Sequence, residues 1–183
     1  MPIVTFLRGV NVGGHRTFRP SLLANQLSRF GIVNIGTAGT LVIRKPASQT
    51  LLHSALRKHL PFETHIMMCP AHELVAAALQ SPFGGAPTRS GIVRFVAVLA
   101  KRPRALPVLP LQIPREGKWF VRILACNGRF AFGFYRREMK AIGHLGSIDT
   151  LFGVPATIRN WNTIKQVLKI LEQTYPREIS ANK

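Results

Sequence analysis

Short β-favouring runs and helical periodicities alternate twice along this chain, and no other feature of the sequence restricts its fold as much. Ile3 to Leu7 is an apolar run that reads as a buried strand. The glycines of Arg8-Gly9-Val10-Asn11-Val12-Gly13-Gly14 make the next stretch a loop. Pro20 and Ser21 suit the first positions of a helix that carries Leu22, Leu23, Gln26, Leu27 and Phe30 at helical spacing and stops at Gly31. Ile32 to Ile35 and Thr40 to Ile43 read as two strands joined by a Gly-Thr-Ala-Gly turn. Ser48 can cap a helix with Leu51, Leu52, Ala55, Leu56 and Leu60 on one side. A strand over Thr64 to Met68 and a helix over Ala71 to Leu79 complete a βαββαβ order followed by α.

The order then partly repeats beyond Ser81-Pro82-Phe83-Gly84-Gly85-Ala86-Pro87, the best linker in the chain. Ile92 to Leu99 reads as a strand. Lys101 to Gly117 holds Pro103, Pro107, Pro110 and Pro114 and cannot be an ordinary long helix. Trp119 to Ala125 and Arg129 to Tyr135 read as a hairpin across Cys126-Asn127-Gly128, because Asn-Gly supplies the positive φ angles that tight turns require. A short helix near Met139 to Leu145, a strand near Ala156 to Arg159 and an amphipathic helix with Ile164, Val167, Leu168 and Leu171 inward end the pattern. The reading is an α+β chain of two βαββαβ-like halves, the second with a Pro-rich irregular first crossover. Their expected bounds are 1–83 and 88–176, with 177–183 as a C-terminal tail. No sequence identity relates the halves, so the repeat is one of topology.

Twenty-five Lys and Arg against seven Asp and Glu give a net charge of +18 over 183 residues. Positions 1–90 hold 9 basic and 2 acidic residues and positions 91–183 hold 16 and 5, so the excess runs through the whole chain. A folded chain this basic attracts polyanions in a salt-dependent way, although a compositional bias towards arginine gives the same balance. No apolar run approaches the ~20 residues that span a bilayer, and none is a secretory h-region. Two distant cysteines, Cys69 and Cys126, make no disulfide framework and fit a reducing compartment. The expected location is the cytoplasm.

Four features could carry chemistry. The Arg8–Gly14 loop follows a strand and precedes a helix, where backbone amides can hold an anion. It matches neither the dinucleotide fingerprint nor a P-loop, and the alternative is a tight connection whose glycines permit the turn. The strand Phe130-Ala131-Phe132-Gly133-Phe134-Tyr135 is a near miss to the aromatic strand of RNA-recognition motifs. Period-two geometry puts Phe130, Phe132 and Phe134 on one face, where they form either core, the commoner outcome, or a stacking platform. Cys69 and His72 share a CxxH spacing but lack a second pair, so no metal site is expected. Asp149 is the only aspartate and the glutamates are dispersed, which leaves two-carboxylate chemistry without support.

The segments Leu7-Arg8-Gly9-Val10-Asn11-Val12-Gly13-Gly14 and Thr157-Ile158-Arg159-Asn160-Trp161-Asn162-Thr163 together resemble the bacterial family called domain of unknown function 1697. The resemblance implies two tandem ferredoxin-like subdomains and no particular reaction. The chain departs from the family pattern at Gly36-Thr37-Ala38-Gly39-Thr40, where relatives carry Ser-Gly-Asn. In the second motif Asn160 or Asn162 can cap the last helix, and Trp161 can anchor packing.

The leading expectation is a non-enzymatic protein associated with RNA or single-stranded DNA, without a cofactor. Arg94, Arg122, Arg129, Arg136, Arg137 and Lys140 would neutralise phosphates, and Trp119 or the strand that starts at Phe130 would stack bases. A rival is a small-anion site or enzyme using Arg8, Asn11, Gly13, Gly14, Arg159, Asn160 and Trp161. A third is a structural or partner-binding module.

Overall fold

The computed structural model describes residues 1–11, 14, 17–80, 82–85 and 89–174. It is a mixed α+β structure with two antiparallel sheets and several helices. By contacts the chain divides into two compact units, Met1–Val75 with Lys165–Lys183, and Ala76–Ile164. Both changeovers fall inside helices. The sequence puts the boundary at the Ser81–Pro87 linker instead; Ser81 and residues 86–88 of that linker lie outside the described residues, as does the tail 177–183.

In the first unit β1 (Ile3–Leu7), β2 (Ile32–Ile35), β3 (Thr40–Ile43) and β4 (Ile66–Pro70) form a sheet in the order β2-β3-β1-β4. β1 is central, and residues of both its faces are buried. Ile3 and Leu7 join Leu41 and Ile43 on one face, where α1 (Pro20–Gln26) and the 3-10 turn Ser28–Phe30 contribute Leu23 and Phe30. α2 (Gln49–His59) adds Leu52, Ala55 and Leu56 at i, i+3, i+4 spacing to that cluster. Each buried Leu, Ile or Phe of this cluster contributes about 1.5–3 kcal/mol by leaving water. Ser48 caps α2, its Oγ accepting from Leu51 N at 3.2 Å. β4 begins two residues later than the composition predicts. Arg8 N donates to His65 O, and the Thr64 hydroxyl donates to Arg8 O, so both residues serve the loop end of the ladder. The strand then runs through Pro70, which an edge strand tolerates. α3 (Ala71–Leu79) follows.

In the second unit the strands are β5 (Ile92–Leu99), β6 (Leu111–Ile113), β7 (Val121–Asn127), β8 (Phe130–Arg136) and β9 (Ala156–Asn160). Their order is β6-β7-β8-β5-β9, all antiparallel. The Pro-rich crossover holds no helix but contains β6, a short edge strand that the prolines mask in the sequence. The hairpin sits farther along than Asn-Gly suggests. Asn127 pairs with Phe130, and only Gly128, at φ 64°, takes the positive angle. Glycine at the first central position is the placement that favours a II′ turn. One face of this sheet packs Phe95, Ala97, Val121, Ile123 and Ala131 with Ile148 and Phe152. The last two come from α5 (Ile148–Phe152), which follows α4 (Met139–Gly146) where one helix was expected. Asp149 Oδ1 accepts from Ala156 N at 2.9 Å and ties α5 to β9. The chain's last described helix is α6 (Trp161–Thr174). Among the described residues no helix is long and apolar enough to cross a membrane.

Candidate functional site

In the first loop the Asn11 side chain is used in holding backbone. Asn11 adopts φ 55°, the only non-glycine among the described residues to take a positive angle. Its Nδ2 donates to Phe18 O at 3.0 Å and to Thr37 O at 2.6 Å, and its Oδ1 accepts from Phe18 N at 2.9 Å. The asparagine is therefore a clip that joins the loop to the β2–β3 turn. Leu7 N donates to Gly39 O, and a Cβ on Gly39 would stand 2.8 Å from both Leu7 Cβ and Val10 Cγ2. This close approach requires glycine at position 39. Arg8 is half-buried and Gly14 is exposed at φ 75°. Gly13, along with Val12 and Arg16, lies outside the described residues.

The Arg159–Thr163 motif belongs to β9 and the start of α6. Asn160 is the cap, its Oδ1 accepting from Thr163 N at 2.8 Å and from the Thr163 hydroxyl at 3.0 Å. Those are the bonds of an N-cap to the third helical residue. Trp161 packs edge-on to Phe83, with ring centres 5.1 Å apart, and lies 6.3 Å from Phe132. Arg159 is 5% exposed, and its Nη1 donates to Thr157 Oγ1 and Ile158 O at 2.8 Å. Burial pushes its guanidinium down to about 10, so it keeps its charge at neutral pH.

The third group lies on the other face of the second sheet, the face not taken up by Ile148 and Phe152. Directly opposed residues on neighbouring strands share a face. Gln112 on β6 opposes Arg122 on β7, Arg122 opposes Phe134 on β8, and Phe134 opposes Arg94 on β5. The next row carries Ala125, Phe132, Val96 and Arg159. Phe132 and Phe130 are 0% and 1% exposed, whereas Phe134 is half-buried. The expectation that Phe130 stacks bases is thereby corrected, because its ring is buried in the core.

Trp119 precedes β7 and is half-buried. Arg122 Cζ lies 4.5 Å and Arg136 Cζ 4.4 Å from its ring centre. The two guanidinium carbons are therefore no farther apart than the sum of those distances, about 9 Å. Each is fixed again by hydrogen bonds. Arg136 Nε donates to Trp119 O at 2.8 Å. Arg122 Nη2 donates to Gln112 Oε1 at 3.3 Å, while Gln112 Nε2 donates to Arg115 O at 3.0 Å. Cation–π attraction of about 0.5–1 kcal/mol per exposed pair offsets part of the repulsion between two like charges. Arg94 Cζ lies 5.2 Å from the Phe83 ring centre.

The remaining candidates part company with this group. Arg129 Nε and Nη2 donate to Leu99 O and Ala100 O, so that side chain clamps the end of β5. Arg137 and Lys140 are exposed, the first after β8 and the second in α4. Structure thus brings together Arg94, Trp119, Arg122 and Arg136 and sets Arg129 and Phe130 aside. Gln112 and Phe83 carry no signal in the sequence that would have marked them for this group. Residue alternation on β8 put Phe134 on the right face, but nothing in the sequence says which of three phenylalanines reaches the surface.

Known proteins bear on the fold and the family. A family model described as "Protein of unknown function (DUF1697)" matches residues 1–123. The chain belongs to this family. The match takes in the Arg8–Gly14 loop and stops short of the Arg159–Thr163 motif. No match is found among curated proteins. Among solved structures, the conserved bacterial protein SP0830 from Streptococcus pneumoniae is similar, with a TM-score of 0.52 and 15% identity. The similarity covers 93% of this chain and 98% of that one. At that identity the likeness concerns the fold alone.

Proposed function

We propose that this DUF1697 member is a non-enzymatic protein that holds RNA or single-stranded DNA on the second sheet. Arg94, Arg122 and Arg136 neutralise phosphates there. The single observation that supports this most is the convergence of Arg122 and Arg136 on the half-buried Trp119, next to the Arg94–Phe134–Arg122 row. Guanidiniums held in place by a ring and by backbone lose less freedom on meeting a phosphate than free side chains do. The net charge of +18 adds long-range attraction for any polyanion.

The scaffold reading that goes with this is a pair of ferredoxin-like units. In each, the first strand lies between the third and the fourth, with the second outside the third; β6 is counted as an addition at the edge. Such scaffolds host many unrelated functions, so the fold adds no weight of its own. The cytoplasm is the compartment we propose, which two free cysteines support.

The test is titration of nucleic-acid-free protein with labelled single-stranded RNA, single-stranded DNA and duplex DNA at low and near-physiological salt. Binding of a single strand should survive the higher salt. Arg136→Ala with Arg137→Ala should weaken it alike on every base sequence, because phosphate contacts carry no sequence information. Binding that vanishes with salt, or a loss confined to one sequence, sinks the proposal.

A further inference from the structure

We infer that Phe134 is the platform on which an unpaired nucleobase stacks, with Arg94 and Arg122 on either side taking the flanking phosphates. This assignment rests on the nucleic-acid reading above and adds the residue that distinguishes an unpaired strand from a duplex. The other aromatic rings on or beside this face are already occupied. Phe130 and Phe132 are buried, and Phe83 is 6% exposed. Trp161 packs against Phe83 and Phe132. Trp119 carries two guanidiniums over its ring, which makes it the spacer that positions Arg122 and Arg136.

Phe134 differs from all of these. It is half-buried, and among the described residues its ring contact is Phe83, at 5.6 Å and a 45° tilt. None of the described cations sits over it. Its direct neighbours on β7 and β5 are both arginines, whose guanidiniums lie over the rings of Trp119 and Phe83. A partly exposed apolar ring thus stands between two arginines in the strand register. A nucleotide in a single strand has the matching pattern, one π face with an anionic phosphate on either side. In a duplex the base faces are consumed by stacking, and only phosphates remain for the arginines. Duplex and strand should therefore share the arginines and differ at Phe134.

The experiment titrates the full chain, freed of co-purifying nucleic acid, with three probes: a labelled oligo-uridylate, a duplex DNA and inorganic polyphosphate, which has charge and no bases. Phe134→Leu keeps apolar bulk and removes the π face. It should lower oligo-uridylate affinity on the order of ten-fold and leave duplex and polyphosphate affinity unchanged. Phe134→Tyr should retain tight strand binding. Equal loss on all three probes, or no loss on oligo-uridylate, overturns the assignment while the arginine surface stands. Absence of oligo-uridylate binding by the unaltered protein defeats the nucleic-acid reading itself. Should the leucine variant unfold, photocrosslinking of the unaltered protein to an iodouridine-bearing strand decides. An adduct on Phe134 is expected, and one on Trp119 in its place overturns the assignment.

Discussion

At the scale of single residues, Asn11 shows how one side chain can look like a ligand-binding group and be used up in holding a loop. Its amide makes three hydrogen bonds, one of them to Thr37, 26 positions away. That partner could not be seen in the sequence, where an Arg-Asn-Gly loop after a strand equally suits an anion site. Asn11→Ala should cost about 2–3 kcal/mol of unfolding free energy, from lost hydrogen bonds and a Cβ-bearing residue at φ 55° without local support. Asn11→Gly loses the same bonds but accepts the angle, so in urea titrations it should fall between alanine and the native protein. Equal stability of the three proteins would refute the clip. Cys126 offers a second test. Burial pushes its thiol above the ordinary value, which lowers the thiolate fraction at neutral pH. Its alkylation rate should keep rising to a higher pH than that of a free cysteine. Cys69 is 0% exposed and its Sγ donates to Val4 O at 3.8 Å, so it should react only after unfolding.

At the scale of elements, most strands and helices were legible because apolar spacing and Pro/Gly punctuation agree locally. Pro20, Ser48 and the Gly-Thr-Ala-Gly turn each mark an element end correctly. Failures occur where tertiary pairing overrides composition. β6 exists because Leu111 to Ile113 find Val121 to Ile123 as partners, although four prolines surround them. The β7–β8 bulge between Ile123 and Ala125 moves the hairpin register as well. Helix ends also differ in how well they are capped. Ser48 and Asn160 each accept a backbone N–H at the third helical position, whereas Arg19, at the N-cap of α1, makes no such bond. Arg19 is exposed with an extended backbone, φ −103° and ψ 103°, which a capping side chain accepts. Arg19→Asp should therefore raise stability by about 0.5–1.5 kcal/mol, through a cap bond and a favourable charge at the helix start. Thermal denaturation would show a higher midpoint, and an unchanged or lower one would show that α1 ends are satisfied otherwise.

At the scale of the whole molecule, the charge of +18 was plain in the sequence while its useful part was not. Basic residues are spread over both halves, and only strand register selects the few that meet around Trp119 and Phe134. Arg129 illustrates the difference: next to the hairpin turn, it is a clamp for two carbonyls. The distinction can be measured through salt. Each phosphate neutralised on a single strand contributes about −0.7 to the slope of log affinity against log salt. If the second sheet is the binding surface, Arg122→Ala with Arg136→Ala should make that slope shallower by about 1.4. Lys45→Ala with Lys58→Ala removes the same charge from exposed positions in the first unit and should leave the slope nearly unchanged. Binding driven by total charge alone would respond to both pairs alike, because at the separations involved only the sum of charges matters. A matched response would thus assign the attraction to composition, and an unequal one to a built surface on the second sheet.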